Sequence, residues 1–434
     1  MPTASDRWIT ALGPRWYRLD GHHDPETEPS ALLQQSWSAD HLLLNRSLIA
    51  PAALAPRTTY PIEAAEPFRA AIGTELQRME HQHGCLQPVV AVRIEEAIHY
   101  QGCLYLHDRQ SGRILGLYEQ HRPFERHMSK CPTAIADLQA MVDQRIPIPQ
   151  RGRRALILGS CGSRNYGHFL LDDLSRLYLY LNHLGGGYSH QNRTPRRIIL
   201  PAFNPVIDER RTQAVRWLLQ SCRHRTLVLR PRPASKPPAV ELQPNRRCFR
   251  VKQVTFVSPA SLHPFELHAG AMIGLKQAAQ RTLSRRAPES PPRRLFISRR
   301  NNRTILNLSG LNELLERAGF TTIYGEDLDF DGQRDLFAGA DAVIGIMGAA
   351  MCNLIFAPEH CQVLFLAPEG WMDPLFHTLM ASMMMDAHFI YCPVQPDADN
   401  PEVRAGQLQV PLASVQAWLA ASSERSSRSS SRPT

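Results

Sequence analysis

With 434 residues, 43% of them apolar, the chain has material for two domains with full cores, which excludes a disordered scaffold. No apolar run approaches the roughly 20 residues of a membrane span, and the start, MPTASDRWITALGPRW, lacks the basic-then-apolar order of a secretory signal, so a cytoplasmic protein is expected. The formal charge of +9 suits nucleic acid, anionic lipid or acidic glycan, but no aromatic-studded RNA motif, zinc finger or heptad repeat accompanies it, which argues against nucleic acid.

A solvated basic face, or peripheral contact with the anionic inner face of a membrane, remains open. Nine cysteines are scattered singly without a CxxC pair and read as reduced thiols.

Residues 1–87 are rich in Pro, Ala and His and read as an irregular lead-in with a helix around residues 67–81. From residue 88 the pattern turns to alternation, and VVAVRIEEAIHY and CLYLHDRQSGRILGLY predict an antiparallel β unit attached to a first domain over residues 88–263. Next comes ALILGSCGSRNYGHFLLDDLSRLYLYLNHLGGG: a buried strand, a glycine loop, a helix of four to five turns and a triple-glycine stop. Asn165 is the expected N-cap. His168 and Asp172 fall at i and i+4 on one face of the first turns, beside the carboxyl end of the preceding strand. A histidine and a carboxylate there can act as general base and orienter; stitching of a helix surface is the bland alternative. The GSCG loop does not satisfy GxGxxG, so it is not read as a dinucleotide fingerprint.

RRIILPAF, a helix over residues 208–222 and RTLVLRPR continue a strand-helix-strand rhythm. Residues 231–245 are proline-rich and read as an exposed loop or linker, VKQVTFVSP as a further strand, and residues 264–285 as a helix leading to a hinge over residues 287–292.

A second domain is expected over residues 293–421. Two short apolar runs, residues 294–298 and 342–345, each end at a feature suited to an anion. Arg299 and Arg300 follow the first; Gly345 and Gly348 surround the turn after the second. Guanidinium forks grip phosphate oxygens bidentately, and glycines let backbone N–H groups come close at a helix N-terminus. Strands alternating with helices pair in parallel, and open parallel sheets bind ligands at the carboxyl ends of their strands. The DLD of residues 327–329 reads as solvated polar sequence, so no metal is expected. QVLFLAP and AHFIYCPV are two more strands around a Met-rich helix over residues 374–385, whose methionines suit a core. PLASVQAWLAA is a last helix and residues 422–434 a low-complexity, disordered tail.

The residues from about 156 to 366 resemble glycosyltransferase family 61. NYGHFLLDD is similar to the family's Asn-x-x-His-x-x-x-Asp segment through Asn165, His168 and Asp172, and RRLFISRR to its strand ending in Ser-Arg through Ser298, Arg299 and Arg300. Gln333 stands at the family's helical glutamine. GIMGAAMCN resembles the last motif through Gly345, Gly348, Ala349 and Asn353, with Met347 where the family has a histidine. The resemblance implies a GT-B fold, two Rossmann-like α/β domains facing across a cleft, with the N-terminal β-containing extension added here. It implies an inverting, metal-independent transfer from a nucleotide sugar to a glycan or other hydroxyl acceptor in polysaccharide biosynthesis. Beyond the nucleotide-sugar co-substrate no cofactor is expected. Asp172, or Asp173 beside it, would be the base, His168 would share that role or orient the acceptor, and Asn165 would shape the acceptor side. The residues from Ser298 to Asn353 named above would hold the donor. A catalytically degenerate glycan- or nucleotide-binding member, marked by Met347, is the alternative. An RNA-associated protein using the arginine-rich stretch is a third reading.

Overall fold

The structure, a computed structural model, describes residues 15–17, 43–56, 58, 60–83, 86, 88–100, 103–109, 112–118, 131–159, 162–185, 195–227, 239–244, 248–262, 266–283, 292–301, 303–396 and 402–430. The fold is mixed α/β with parallel sheets. Its contacts divide the chain into two compact units, Met1–Leu54 with Cys85–Ala271, and Ala55–Gly84 with Met272–Thr434. Among the described residues, no helix is long and apolar enough to cross a membrane.

In the first unit the described strands form a 10-stranded sheet. From one edge the order is Arg15–Tyr17, Arg113–Tyr118, Cys103–Asp108, Val89–Tyr100, Phe249–Val257, Ala155–Ile157, Arg197–Ala202 and Ala239–Pro244. Leu43–Ala50 also pairs with Val89–Tyr100, and Gln150–Arg153 with Phe249–Val257. Pairing is antiparallel as far as Phe249–Val257, as the alternation predicts, and parallel beyond it. Val90, Val92 and Ile94 point with Phe249 and Val251 into one core. Ile98, Tyr105 and Ile114 pack with Leu138 of the helix Cys131–Asp143 in another. Leaving aside Gln150–Arg153, which also pairs in parallel with Phe249–Val257, the parallel strands from there to the far edge lie 3-2-1-4 when numbered by chain order. That order reverses between Ala155–Ile157 and Phe249–Val257, and such a reversal opens a crevice at the carboxyl ends of the two strands.

The third parallel strand corrects two expectations. The helix Pro205–Leu227 absorbs the start of RTLVLRPR, whose remaining residues lie outside the described ones. Ala239–Pro244, from the stretch expected as a loop, pairs instead with Arg197–Ala202. It is the last strand of the sheet, and an edge tolerates proline because one side of the ladder needs no N–H. The helix expected from residue 264 starts at Ala269, because Ser261–Leu262 and Glu266–Leu267 first pair as a hairpin.

The second unit holds a 6-stranded, fully parallel sheet in the order Thr321–Tyr324, Arg294–Ser298, Ala342–Ile346, Gln362–Pro368, Ala387–Cys392 and Ile62–Glu63. The central strands are buried on both faces, as continuous apolar runs require. Ile62–Glu63 and the helix Phe68–Gln82 come from the segment expected as an irregular lead-in. The strand completes the sheet edge, and Phe68 packs edge-on against Tyr391 at 5.1 Å. The helix Pro374–Met383 is buried along its whole length, so Met380 and Met383 fill the core as expected, with Met385 beyond it, whereas Met384 at the helix end is exposed. The last helix, Leu412–Ser430, carries on through Ser430, so residues 422–430 of the expected tail are helical. Without the edge strand Ile62–Glu63, the order is 2-1-3-4-5 by chain position. Here the reversal falls between Arg294–Ser298 and Ala342–Ile346.

Candidate functional site

In the first unit the expected helix begins at Tyr166, with Asn165 as its N-cap: the Asn165 side chain accepts from Gly167 N–H at 2.9 Å, a contact of about 1 kcal/mol. A π-turn over Phe169–Leu174 follows, and the helix then resumes as Ser175–Gly185. Such wide turns cluster at functional sites; here Ser175 Oγ donates to the Leu170 carbonyl at 3.3 Å. Gly186 and Gly187 of the expected stop lie outside the described residues.

The turn turns both aspartates inward, to different fates. Asp173 is fully buried and accepts from Ser163 Oγ and from the Arg176 guanidinium, which is itself 2% exposed. Bound this way on two sides, Asp173 serves as a structural anion, and its expected part as an alternative base loses its geometric basis. Asp172 accepts from Ser261 Oγ on the hairpin after Phe249–Val257, and its Oδ2 lies 3.7 Å from His168 Nδ1. That separation exceeds a hydrogen bond, though catalytic pairs commonly tighten once a ligand is in place. The His168 side chain is 23% exposed and that of Asp172 only 3%, so an incoming hydroxyl meets the imidazole first.

The hairpin carrying Ser261 is firmly fixed. Ser258 N–H donates to the Val90 carbonyl at 2.8 Å, and Val90 N–H to Ser258 Oγ at 2.9 Å. His268 Nδ1 accepts from Ala271 N–H at 3.2 Å, which leaves Nε2 to donate to the Pro51 carbonyl at 2.9 Å. Burial lowers the His268 pKa, in keeping with this neutral tautomer. His168, Asp172 and Ser261 therefore flank the reversal point between Ala155–Ile157 and Phe249–Val257. Sequence reasoning missed Ser261 and Ser163, although Ser261 follows the carboxyl end of a predicted strand.

In the second unit the arginine pair divides in the same manner. Arg300 is exposed and forms a bidentate pair with Asp327 at 2.5 and 2.6 Å, stacked 4.0 Å over the Tyr324 ring. The Arg300 hydrogen bond holds the Asp327 carboxyl below its ordinary range. Asp327 is thus occupied by an arginine, and Asp329, the other carboxylate of DLD, caps the helix Phe330–Ala338 through Gly332 N–H at 2.8 Å. Arg299 turns inward. Burial lowers its pKa against the opposing pull of Glu326, and its Nη1 is buried without a hydrogen-bond partner. Arg299 is therefore the cation of this pair left to receive a ligand.

The glycine loop behaves differently from its sequence reading. A Cβ on Gly345 would fall 2.2 Å from Met351 Sδ, so Gly345 makes room for a core methionine rather than a phosphate. Gly348 fits the expected close approach: a Cβ there would fall 2.9 Å from Arg299 Nη1 and 3.3 Å from both Nη atoms of Arg303. Ala349 opens the short 3-10 helix Ala349–Phe356 directly behind it. Gln333 and Asn353 are buried against each other: Asn353 Nδ2 donates to Gln333 Oε1 at 2.7 Å, and Gln333 Nε2 to the carbonyls of Gly325 and Leu328. They brace the two loops, and Ser298 ends its strand 2% exposed. The Met347 side chain is fully buried, with its N–H on the Leu366 carbonyl at 2.9 Å and its carbonyl on Arg303. Arg303 was missed by sequence reasoning; its place in RRNNR, just past the strand end, was the available signal.

Comparison with known proteins finds similarity to glycosyltransferases. The family model for Glycosyltransferase 61 matches residues 166–364, from the helix carrying His168 to the strand Gln362–Pro368. The rice (Oryza sativa subsp. japonica) alpha-1,3-arabinosyltransferase XAT3 is 30% identical over 94 residues, 21% of this chain and 16% of that protein. The rice beta-1,2-xylosyltransferase XYXT1 is 31% identical over 85 residues, 19% and 18% of the two chains. The aligned stretches thus span less than a fifth of these relatives. The matched span takes in the helix that carries His168 and the two strands, Arg294–Ser298 and Ala342–Ile346, between which the second parallel sheet reverses its order, and over residues 166–364 the chain is identified as similar to glycosyltransferase family 61.

Proposed function

We propose that the chain is an inverting, metal-independent glycosyltransferase that moves a sugar from a nucleotide-sugar donor to a glycan or other hydroxyl acceptor. The observation that carries this reading is Arg299: a partly buried arginine whose Nη1 is buried and unpartnered, facing a side-chain-free Gly348 at the switch point of a parallel sheet within the span that matches family 61. The reading includes a GT-B arrangement, with the parallel sheet of the first unit serving the acceptor and that of the second the donor. Cytoplasmic polysaccharide synthesis, with or without peripheral contact with the inner membrane face, is the setting that suits it.

In such a transfer the acceptor oxygen loses its proton, bonds to the anomeric carbon and displaces the diphosphate, which leaves with the electrons of the broken C–O bond. The burial order supports His168 as the group that takes the proton, with Asp172 behind it, held by Ser261, stabilising the imidazolium that forms. Negative charge growing on the diphosphate would meet Arg299 and the amides of the Gly348 loop, preorganised in a site partly closed to water. Arg300, taken up by Asp327, stands outside this machinery.

The test is a thermal-shift and calorimetric screen of nucleoside diphosphates and nucleotide sugars, followed by transfer assays with the hits. Pentose donors come first, because the matched relatives are arabinosyl- and xylosyltransferases. Protection by a nucleoside diphosphate and turnover of one nucleotide sugar is the expected result. Salt-dependent RNA binding with no nucleotide binding would replace the proposal by the RNA reading. Met347 favours one second reading, a degenerate binder, since a buried thioether offers neither charge nor a hydrogen-bond donor to a phosphate. Turnover by the unmodified chain removes that reading.

A further inference from the structure

Neighbouring parallel strands of the first sheet begin in cations. Lys252 and Arg153 are rung partners between Phe249–Val257 and Gln150–Arg153, and Arg250 is the partner of Gln150. Arg154 N–H donates to the Lys252 carbonyl at 2.8 Å, Arg196 N–H donates to the Arg154 carbonyl at 2.7 Å, and Arg197 is the partner of Ala155. The row therefore runs unbroken across the amino ends of these strands. Arg151, Arg153, Arg196, Arg197 and Lys252 are all exposed. Among the described residues, Arg151, Arg153, Arg196 and Lys252 form no ion pair, and the rung partner of Lys252 on the other side, Glu96, is taken up by Arg250 at 3.3 Å and Arg109 at 3.5 Å. Like charges on adjoining rungs repel. A surface of opposite sign removes that cost.

An apolar tip stands at the head of the row. The helix Cys131–Asp143 ends in a Schellman turn, with Arg145 N–H on the Val142 carbonyl at 3.0 Å and Ile146 N–H on the Met141 carbonyl at 2.8 Å, and the chain then passes through two exposed prolines into Gln150–Arg153. An apolar residue in this place commonly folds back on its helix, but Ile146 is 43% exposed. Arg145 takes the left-handed position usually given to glycine, with φ 54°, and Arg154 at 59° and Gln253 at 52° repeat that conformation within the row. Backbone held this way at a cost gathers where a structure is shaped for contact.

The chemistry of the row selects among polyanions. Single-stranded nucleic acid stacks its bases on aromatic rings, whereas the large apolar side chains exposed among the described residues are all aliphatic. A sugar acceptor belongs at the carboxyl ends of the strands, and the row lies at the opposite ends. Cations around an aliphatic tip fit an anionic bilayer, whose headgroups attract the charge and whose interface takes up the tip. We propose that Arg151, Arg153, Arg196 and Lys252, with Ile146 as an apolar tip, dock the first unit onto a membrane surface rich in anionic lipid. Docking there gives the membrane contact named above a definite face and leaves His168 and Asp172 at the other strand ends, so it stands or falls separately from the transfer reading.

The test is sedimentation of the full chain with vesicles of phosphatidylcholine alone and of equimolar phosphatidylcholine and phosphatidylserine, at low and at physiological salt. The unmodified chain should bind only the anionic vesicles, and bind them less as salt rises. Arg151→Gln, Arg153→Gln and Arg196→Gln together should weaken that binding by about a hundredfold, at roughly fivefold for each charge near the surface. The control is Arg69→Gln, Arg78→Gln and Arg317→Gln together, three exposed arginines of the second unit whose loss changes net charge equally, and it should stay within about threefold of the parent. Ile146→Ser should weaken binding by roughly fivefold.

No binding of the unmodified chain to anionic vesicles overturns the proposal, and so does equal loss in the two triple variants, the mark of attraction by net charge alone. Binding of homopolymeric RNA that needs the three arginines, with vesicles left unbound, replaces lipid by nucleic acid. Unchanged vesicle affinity in Ile146→Ser overturns the entry of the tip. Should the triple variant not fold, weakened binding by Arg196→Gln alone supports the row and unmodified affinity overturns it. Nucleoside diphosphate affinity, measured alongside, should be the same in every variant, which keeps failure of the docking face distinct from failure of the nucleotide reading.

Discussion

Each unit carries a pair of adjacent like charges near the reversal point of its parallel sheet, and each fold splits its pair. In the first, Asp173 is sealed against Arg176 and Ser163, while Asp172 stays within reach of His168. In the second, Arg300 is tied to Asp327, while Arg299 keeps a buried, unpartnered Nη1. In each pair one member is held in a short salt bridge, and the other is the one that the proposed chemistry uses. The two pairs differ in where the bridged member lies. The Asp173–Arg176 pair is buried, whereas the Arg300–Asp327 pair is about half exposed, so the first should be indispensable to the fold and the second nearly neutral.

The sharpest break in this comparison is at the working members of the first unit. His168→Ala and Asp172→Asn should each lower turnover by about two to four orders of magnitude with nucleotide affinity nearly unchanged. Single-turnover kinetics beside calorimetry would show it, and parallel loss of binding and turnover would make the pair structural.

Asp173→Asn should act on the fold instead. It leaves the Arg176 charge buried without its counter-ion, a cost of about 3 to 5 kcal/mol in denaturant unfolding. A variant as stable as the parent would show that Ser163 and water suffice and that the division of labour between Asp172 and Asp173 is misread.

Arg299→Ala should weaken nucleoside diphosphate binding roughly ten- to a hundredfold, since one charge-assisted hydrogen bond contributes about 1.5 to 3 kcal/mol. An unaltered Kd would remove the phosphate site from this strand end.

The smallest effect is expected at Arg300→Ala, with Tm and nucleotide affinity close to those of the parent. Its signature is a titration. In the parent, Arg300 holds the folded Asp327 carboxyl below its ordinary value near 3.8, so the pair's stabilisation is complete above that value and is lost as pH falls through the depressed one. Carboxyl-resolved NMR should find the midpoint back in the ordinary range in the mutant. Nucleotide affinity that drops as far as in Arg299→Ala would join the two arginines in one site and erase the contrast.

Much of the candidate site was legible because it depends on short-range rules. Asn165 as N-cap, the stacking of His168 on Asp172, the strand Arg294–Ser298 and the turn after Ala342–Ile346 all follow from preferences acting within a few residues. The family motifs mark the same positions. Gln333, Asn353 and Gly345 were legible as important but not in role: the first two brace loops, and the third admits Met351. No local rule separates a glycine that makes room for a phosphate from one that makes room for a methionine.

The sequence by itself determined the α/β rhythm, the helix caps and the strand ends, because periodicity and capping are properties of neighbours along the chain. Tertiary structure decided which charges meet. Ser261 reaches Asp172 across 89 positions and Arg303 reaches Met347 across 44, while Ile62–Glu63 crosses to the strand Ala387–Cys392 to finish the second sheet. It also decided which of two identical neighbours is taken up by a short salt bridge. A charge taken out of water must find a partner or keep a place for a ligand, and only the folded chain sets which groups lie close enough to serve.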